Sequence, residues 1–249
     1  MIDAEKATEG VVAWLQEQFR TSGGKYAVIG ISGGKDSTVV AALCAKALGK
    51  ENVIGVMMPN GLPMENESVA REVCKEYCGK SVFVDVSDAI HEIYGYVECP
   101  LEISDIAKTN FPARIRMSTL YLVAQCVEHG RVINTSNLSE RYVGYSTRYG
   151  DSVGDFSPLG NFTATEVLEI GKYLGVPQKY LDIPPSDGLS GLTDEENLGF
   201  TYSSLDGYIR RDGAEIPDEI RKEIDRLHEL NEFKQKMMPI YEPSEEIFN

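Results

Sequence analysis

The chain has 249 residues, of which 42% are hydrophobic and 25% are charged, a composition typical of a globular protein with a substantial core. Its formal net charge of −15 argues against nucleic acid as a partner, because binding to a phosphate backbone requires a basic surface. The apolar runs are only of strand length and residues 1–18 carry charges throughout, so we predict no membrane span and no signal peptide, and we expect a cytoplasmic protein.

The predicted elements alternate between strands and helices. The predicted strands cover residues 26–31, 53–58, 81–86 and 131–135. The predicted helices cover residues 3–19, 36–48, 65–78, 109–129, 165–174, 202–211 and 217–237. Asp3 is the expected N-cap of the first helix, and Gly49 is expected to end the second. The alternation indicates βαβ units, so we predict an α/β fold with a parallel sheet, in a single domain of residues 1–249, and a site at the carboxyl ends of the strands.

Two segments break this periodicity. Residues 142–163 contain four glycines and no sustained pattern, and residues 182–197 are polar and rich in proline and glycine. Irregular stretches of this length inside a compact domain are usually functional loops.

The cysteines show no spacing typical of a metal site. Their number is odd, and no second Cys or His pair lies near the pair that is four residues apart. We therefore predict reduced, buried thiols at Cys44, Cys74, Cys78, Cys99 and Cys126.

The first predicted strand leads into the sequence Ser32-Gly33-Gly34-Lys35-Asp36-Ser37. The two glycines lack Cβ atoms, so backbone N–H groups can approach an anion closely, and the following helix points the positive end of its dipole at the same place. Two serine hydroxyls add donors, and Lys35 either adds a cation or points into solvent. These features predict a phosphate cradle. The alternative is an ordinary glycine turn in which Asp36 is a favourable carboxylate in the first turn of a helix.

A second candidate region lies in the long helix predicted at 109–129. Arg114 shares one face of this helix with Met117 and Tyr121, whereas Arg116 lies nearly opposite. A solvated basic turn explains the same spacing, so the pattern alone does not assign a ligand to either arginine.

Glu140 is a third candidate because it follows the fourth predicted strand as Asp36 follows the first. The carboxyl ends of parallel strands face the same crevice, which would bring the two carboxylates near each other. Asn137 and Glu140 are also three residues apart, so Glu140 is alternatively the second half of a capping box.

Together these stretches resemble the ammonia-dependent NAD synthetases, which belong to the N-type ATP pyrophosphatases (PP-loop enzymes). The shared features are the Ser-Gly-Gly-x-Asp-Ser loop, an Arg-x-Arg-Met helix, a Thr-x-x-x-x-Glu segment, a Tyr-Gly-Asp loop, and Pro-Ser-x-Gly-Leu followed by Thr-Asp-Glu. The resemblance extends over about residues 7–240. It implies a three-layer sandwich with a mostly parallel, Rossmann-like sheet of the adenine-nucleotide alpha-hydrolase-like kind. It also implies a homodimer with the Arg-x-Arg-Met helix near the interface.

The resemblance assigns a role to individual residues. The ATP-binding residues would be Gly30, Ile31, Ser32, Gly33, Gly34, Lys35, Asp36, Ser37, Thr135 and Ser186. The residues that bind deamido-NAD would be Arg114, Arg148, Asp155 and Lys234. Asp36 and Glu140 would be the carboxylate ligands of Mg²⁺.

The sequence departs from the family pattern at positions expected to carry positive charge. Ala164 stands where the family has a phosphate-binding lysine, and Lys172 is one candidate to replace it. Phe233-Lys234-Gln235 stands where the family tends to have His-Lys-Arg, so Lys234 alone keeps its charge there. Arg148 replaces a lysine, which preserves the charge and changes the geometry.

The implied reaction is the ATP-dependent amidation of deamido-NAD by ammonia through an acyl-adenylate, giving NAD, AMP and pyrophosphate. Free ammonia is the expected nitrogen donor, because 249 residues leave no room for a glutaminase domain. Two alternatives remain open from the sequence. One is a PP-loop ligase with another substrate, and the other is a nucleotide-binding regulator on the same fold, which the missing lysine at Ala164 would favour.

Overall fold

The computed structural model describes residues 2–61, 63–64, 66–97, 102–183, 193–211, 213, 215–244 and 247. Within these residues no helix is both long and apolar enough to cross a membrane. The predicted site residue Ser186 and the predicted thiol Cys99 lie outside the described residues.

Four strands form the sheet of the described chain. They are β1 (Tyr26–Gly30), β2 (Val53–Met57), β3 (Lys80–Phe83) and β4 (Gly130–Ile133). The strand order is β3-β2-β1-β4, and each neighbouring pair is parallel. The register pairs Val28 of β1 with Ile54 of β2 and with Val132 of β4. The predicted parallel sheet is therefore confirmed.

The helices follow the strands in the alternating order that the sequence predicts. They are α1 (Ala4–Ser22), α2 (Lys35–Leu48), α3 (Glu67–Tyr77), α4 (Ser87–Tyr96), α5 (Asp105–Gln125), α6 (Leu138–Val143), α7 (Ala164–Tyr173), α8 (Gln178–Leu181), α9 (Asp194–Leu198), α10 (Tyr202–Arg210) and α11 (Asp218–Gln235). The Asp3 carboxylate accepts from the Lys6 backbone N–H as the N-cap of α1, which confirms that prediction.

Helices cover both faces of the sheet. The side chains of Ala27 and Ile29 pack into a core with α1, α2, α3 and α7, while Val28 points to the other face and packs against α4 and α5. This arrangement confirms the three-layer sandwich, and it explains why the inner strands β1 and β2 are apolar on both faces. A smaller apolar cluster joins α6, α10 and α11 around Leu205 and Ile224, beside the carboxyl end of β4.

The chain order of the strands places a crevice between β1 and β4. From β1 the chain moves outward through β2 to β3, then returns through α4 and α5 to place β4 on the opposite side of β1. Ligands of open α/β sheets bind where the strand order reverses in this way. The segments that follow β1 and β4 both border that crevice.

Four helices, α4, α6, α8 and α9, lie where the sequence predicts none. Helix α4 is short, contains Gly95 and lacks a side-chain N-cap, so its signal is weak. Helices α6, α8 and α9 have only six, four and five residues, too few to show a helical period. The strand predicted to reach residue 86 ends as β3 at Phe83, although Val84 and Val86 still donate backbone hydrogen bonds to Met57 and Pro59.

The described cysteines are free thiols. Cys44, Cys74 and Cys78 are buried as predicted, and Cys126 is exposed, which corrects the expectation for that position. Cys126 is the C-cap of α5, where the helix ends and the chain turns back toward β4.

Candidate active site

The loop between β1 and α2 forms an open anion cradle. Gly33 has φ +86°, and a Cβ atom at this position would lie 2.8 Å from the backbone oxygen of Asn66, so only glycine fits. Gly34 is the N-cap of α2 and has no side chain that could cap it, which leaves the first N–H groups of the helix available to a ligand. The Ser32 hydroxyl accepts from the Gly34 N–H at 3.1 Å and lies 3.2 Å from the Ser37 hydroxyl.

A cavity of about 550 Å³ lies over the carboxyl ends of β1, β2 and β4. The predicted residues that line it are Gly30, Ile31, Ser32, Gly34, Thr135 and Lys234. The predicted residues outside its lining are Gly33, Lys35, Asp36, Ser37, Arg114, Glu140, Arg148 and Asp155. The cradle and the end of β4 therefore share one cavity, as the topology predicts.

Asp36 and Glu140 lie on either side of one amide group. The Asn137 Nδ2 donates to Glu140 Oε1 at 2.9 Å and faces Asp36 Oδ1 at 3.3 Å. Burial and the negative charge of Asp36 raise the pKa of Glu140 well above its ordinary value. Two close carboxylates of this kind are hard oxygen ligands whose mutual repulsion a divalent cation relieves, so the pair fits Mg²⁺.

Glu140 also closes the capping box that the spacing allows. The Asn137 side chain accepts from the Glu140 N–H, and Glu140 Oε2 accepts from the Asn137 N–H at 3.3 Å. The two interpretations of Glu140 are thus compatible, because one carboxylate oxygen serves the cap and the other faces the amide shared with Asp36.

Lys35 points inward, away from the cavity. Its Nζ lies 2.7 Å from Asp36 Oδ2, and its side chain is only 6% exposed. Burial disfavours the charged ammonium, but the charges of Asp36, Glu140 and Asp194 outweigh burial, so the pKa of Lys35 is raised. The Lys35 side chain therefore does not point into solvent, which is one of the two orientations that the sequence allows.

Arg116 lines the cavity, and Arg114 does not. The Arg116 Nε donates to the Met58 backbone oxygen at 3.0 Å, at the end of β2. Arg114 is exposed and donates to the Arg148 backbone oxygen at 3.2 Å. The helical spacing places the two arginines on nearly opposite faces of α5, but it does not indicate which of these faces turns toward the strands.

Two other residues predicted to bind deamido-NAD, Lys234 and Arg148, form hydrogen bonds between the loop after α6 and the end of α11. Lys234 Nζ donates to the backbone oxygens of Gly144 and Ser146 at 2.8 and 3.0 Å, and burial lowers its pKa. Arg148 lies over the Phe233 ring and donates to the Lys236 backbone oxygen at 3.3 Å.

Asp155 lies beside the edge strand β4, on the side that faces away from β1. Its carboxylate accepts from the Val132 N–H at 2.7 Å and so satisfies a backbone donor of that edge strand. Residue Phe156 forms a parallel bridge to Ile133, which extends the sheet by a single pair.

The position of the missing lysine is filled by a polar network. Ala164 is buried, its N–H donates to the Ser139 hydroxyl at 2.9 Å, and the Thr165 N–H donates to Asp206 at 2.8 Å. Lys172 is exposed in the last turn of α7, at the opposite end of that helix. The geometry therefore gives no support to Lys172 as the replacement.

Several cavity residues were not predicted from the sequence. They include Met58, Asn60, Asn110, Arg116, Asn134 and Asp151. Asn134 Nδ2 donates to the Asp151 and Val153 backbone oxygens, which fixes the irregular loop against β4. The position of Asn134 directly after β4 could have indicated, from the sequence alone, that this residue lies at the site.

A parallel α/β sheet with a glycine cradle and a carboxylate pair at its reversal point defines a nucleotide-binding protein of the Rossmann-like class. The family model described as NAD synthase matches residues 7–238, and the chain belongs to that family.

Curated relatives and solved structures agree with this assignment. The chain is 38% identical over 245 residues to the NH(3)-dependent NAD(+) synthetase of Alkaliphilus metalliredigens, covering 93% of this chain and 96% of the relative. It is 40% identical over 225 residues to that of Methanocaldococcus jannaschii, covering 88% and 86%.

Among solved structures, the NMN synthetase of Francisella tularensis superimposes with a TM-score of 0.88 at 30% identity, covering 97% of this chain and 99% of that one. The NH3-dependent NAD synthetase of Campylobacter jejuni superimposes with a TM-score of 0.80 at 29% identity, covering 97% and 100%.

Proposed function

We propose that the protein is an ATP-dependent ligase that amidates the nicotinate carboxylate of deamido-NAD with free ammonia. The observation that carries this proposal is the open cradle of Gly33 and Gly34 beside the Asp36–Glu140 pair, in a chain of the NAD synthase family. The substrate carboxylate attacks the α-phosphorus of ATP, pyrophosphate leaves, and ammonia then displaces AMP from the acyl-adenylate.

The protein supplies binding and charge rather than a nucleophile. The N–H groups at the start of α2 and the Ser32 hydroxyl would bind the leaving pyrophosphate. Asp36 and Glu140 would hold Mg²⁺, which neutralises phosphate charge when it is bound. Within the described residues no group of three or more acidic, His or Cys side chains that could hold a metal ion is found.

The remaining predicted contacts complete the substrate sites. Thr135 lines the cavity beside the cradle and would contact ATP. The acceptor dinucleotide would bind along Arg114, Arg148, Asp155 and Lys234, with Arg116 added from the cavity wall. The irregular segment 142–163, whose first two residues belong to α6, would exclude water, which otherwise hydrolyses the adenylate.

A direct assay tests this function. Purified protein is incubated with ATP, Mg²⁺, ammonium and deamido-NAD, and NAD, AMP and pyrophosphate are quantified. We expect all three products in equal amounts and none with Asp36→Ala. Wild-type protein that gives no NAD above the blank would refute the proposal, and near-normal turnover by the variant would refute the role of Asp36.

Nicotinate mononucleotide is a second candidate acceptor, because the chain superimposes on an NMN synthetase with a TM-score of 0.88. Nicotinate mononucleotide carries the same reacting carboxylate without the second nucleotide. Comparing kcat/KM for the two acceptors decides between them, and xanthosine monophosphate and citrulline serve as tests of other PP-loop ligase activities.

The assembly and setting of the enzyme are also part of the proposal. We infer a homodimer with α5 near its interface, a single catalytic domain over residues 1–249, and activity in the cytoplasm with ammonia as the nitrogen donor. The family resemblance supports these inferences.

A further inference from the structure

We propose that Cys74 and Cys78 form a reversible thiol-oxidation site, in which a peroxide converts the two neighbouring thiols into a disulfide. The two cysteines lie at the C-terminal end of α3, in a groove separate from the cavity that contains the cradle. The site is independent of the proposed function, because its chemistry needs neither ATP nor an acceptor.

The first step is the proximity of the two sulfur atoms. A Cβ atom added to Gly55 of β2 would lie 2.6 Å from Cys74 Sγ and 2.9 Å from Cys78 Sγ. Both thiols therefore pack over the same Cα atom, where glycine leaves room for them, and a hydrogen bond joins the two. A thiol that is oxidised at this position has a second thiol in place to resolve it.

The second step is the backbone, which allows a bridge at this end of α3. Residues four apart on a helix are separated by about 6 Å, within the range of about 4.4–6.8 Å that disulfides span between Cα atoms. Cys78 is the C-cap, with φ −115° and ψ 137°, so it has already left the helix. Closing the bridge therefore rearranges only the last turn, where the Cys78 N–H donates to the Cys74 oxygen at 2.9 Å.

The third step is access and charge. A groove of about 330 Å³ reaches both cysteines, which are only 4% and 6% exposed, so a small oxidant can enter. Arg71, Lys75 and Lys80 also line this groove, and positive charge favours a thiolate. The hydrogen bond from Cys78 and the charge of Arg71 lower the pKa of Cys74 against the effect of burial, which makes Cys74 the attacking thiol.

The reaction takes two balanced steps. The Cys74 thiolate attacks one oxygen of hydrogen peroxide, the O–O bond breaks, and the hydroxide that leaves takes up a proton to form water. The Cys78 sulfur then attacks the Cys74 sulfenic acid, so that an S–S bond forms and an S–O bond breaks. The proton of Cys78 leaves with that oxygen as a second water. The two thiols are thus oxidised by two electrons, and the peroxide is reduced to water.

Digestion with trypsin makes the bridge visible, because a lysine lies between the two cysteines. Cleavage places Cys74 in peptide 72–75 and Cys78 in peptide 76–80. The folded full-length chain is reduced, treated with hydrogen peroxide, alkylated and digested without reductant. We expect mass spectrometry to find the two peptides joined, and dithiothreitol to separate them.

Cys44 and Cys126 serve as controls in the same digest. Cys44 is 0% exposed, and burial raises its pKa to about 12, so it should stay unmodified. Cys126 is exposed and reports how far an accessible thiol reacts at the same dose of peroxide.

Two serine variants separate the roles of the paired thiols. Cys78→Ser removes the resolving thiol, so Cys74 should stop at the sulfenic acid and become labelled by dimedone. Cys74→Ser leaves the thiol whose pKa is raised, so Cys78 should be oxidised at least about tenfold more slowly than Cys74 in the other variant. Serine nearly keeps the size of cysteine, and circular dichroism checks that both variants fold.

Absence of the joined peptides at a dose that oxidises Cys126 would overturn the proposal, as would a bridge from either peptide to any other cysteine. Equal rates of oxidation in the two serine variants would overturn the assignment of Cys74 as the attacking thiol. Because none of these measurements uses ATP or an acceptor, an inactive wild-type protein would refute the proposed function and leave this test unaffected.

Discussion

At the scale of single residues, Glu140 combines a structural and a chemical role in one carboxylate. Its Oε2 accepts the Asn137 N–H of the capping box, and its Oε1 shares the Asn137 amide with Asp36. The two roles respond differently to the same substitution, because an amide oxygen can still accept a hydrogen bond but carries no charge for a metal ion.

Glu140→Gln is therefore expected to lower kcat at least about tenfold while Tm changes little. The amide oxygen can keep the Asn137 N–H of the cap, and the repulsion with Asp36 disappears, whereas the amide NH2 group then faces the Asn137 Nδ2 donor and one hydrogen bond is lost. Glu196→Gln is the matched control, because Glu196 closes a capping box at α9 in the same way. Normal turnover together with a lower Tm in Glu140→Gln would show that Glu140 serves only the cap.

Gly33 is a second residue whose backbone decides the site. Its φ of +86° is unfavourable for any side chain, and a Cβ would lie 2.9 Å from the Asn66 Cβ as well as close to its oxygen. Gly175 has a similar φ of +75° with nothing within 4 Å of the added Cβ. A comparison of substitutions at the two glycines therefore separates the cost of a positive φ from the cost of a steric collision.

We expect Gly175→Ala to cost about 1 kcal/mol of the free energy of unfolding and to keep full activity. Gly33→Ala should cost more and should raise the KM for ATP, because the loop must move away from Asn66. Urea denaturation and initial rates measure the two effects. Equal losses of stability and unchanged KM in the two variants would contradict a role for the close packing at Gly33.

At the scale of elements, the start of α7 is held by α10. Arg210 Nε and Nη2 donate to the two carboxylate oxygens of Glu166 at 2.8 and 2.6 Å, and Asp206 accepts from the Thr165 N–H. Burial favours the protonated form of Glu166, but the hydrogen bonds from Arg210 and Thr163 outweigh it and keep its pKa below the ordinary value. These contacts fix the segment where the family has its lysine.

Arg210→Met is expected to cost about 2 kcal/mol of the free energy of unfolding at pH 7. Because the pKa of Glu166 is lowered in the folded state, this contribution is present above the unfolded pKa and is lost as the pH falls through the folded value. The difference from wild type should thus shrink below about pH 4.

Arg226→Met is the control for this prediction, because Arg226 binds Glu223 with the same two distances, 2.8 and 2.6 Å, on the exposed side of α11. It should cost less than about 0.5 kcal/mol. A pH-independent difference for Arg210→Met would argue that its packing, rather than its ion pair, holds α7.

The strands and the cradle could be predicted because their signals are local. Apolar runs mark β1 and β4, and the second residues after them, Ser32 and Thr135, reach the cavity as expected. The choice between Arg114 and Arg116 depends on which face of α5 packs against the sheet, and helical spacing does not contain that information. Lys35 Nζ lies 5.6 Å from the centroid of the Tyr202 ring, and this neighbour on α10 is too remote in sequence to be predicted.

At the scale of the whole molecule, exposed apolar side chains lie on several helices and on the C-terminal segment, and three of them lie on the helices that cover one face of the sheet. Tyr96 at the end of α4 and Ile106 and Leu122 on α5 are 80%, 74% and 62% exposed. Exposed apolar surface is typical of a protein interface. This is the face where the family resemblance places the dimer.

Leu122→Asp is expected to convert a dimer into a monomer at micromolar concentration, because a carboxylate buried at an apolar interface is costly. Leu230→Asp on α11 is the matched control, since Leu230 is 60% exposed against 62% for Leu122 and lies outside α5. Sedimentation velocity reports the mass of each species. A wild-type monomer, or a Leu122→Asp variant that stays dimeric while Leu230→Asp dissociates, would move the interface away from α5. If the site depends on the dimer, the kcat of Leu122→Asp should recover with rising protein concentration.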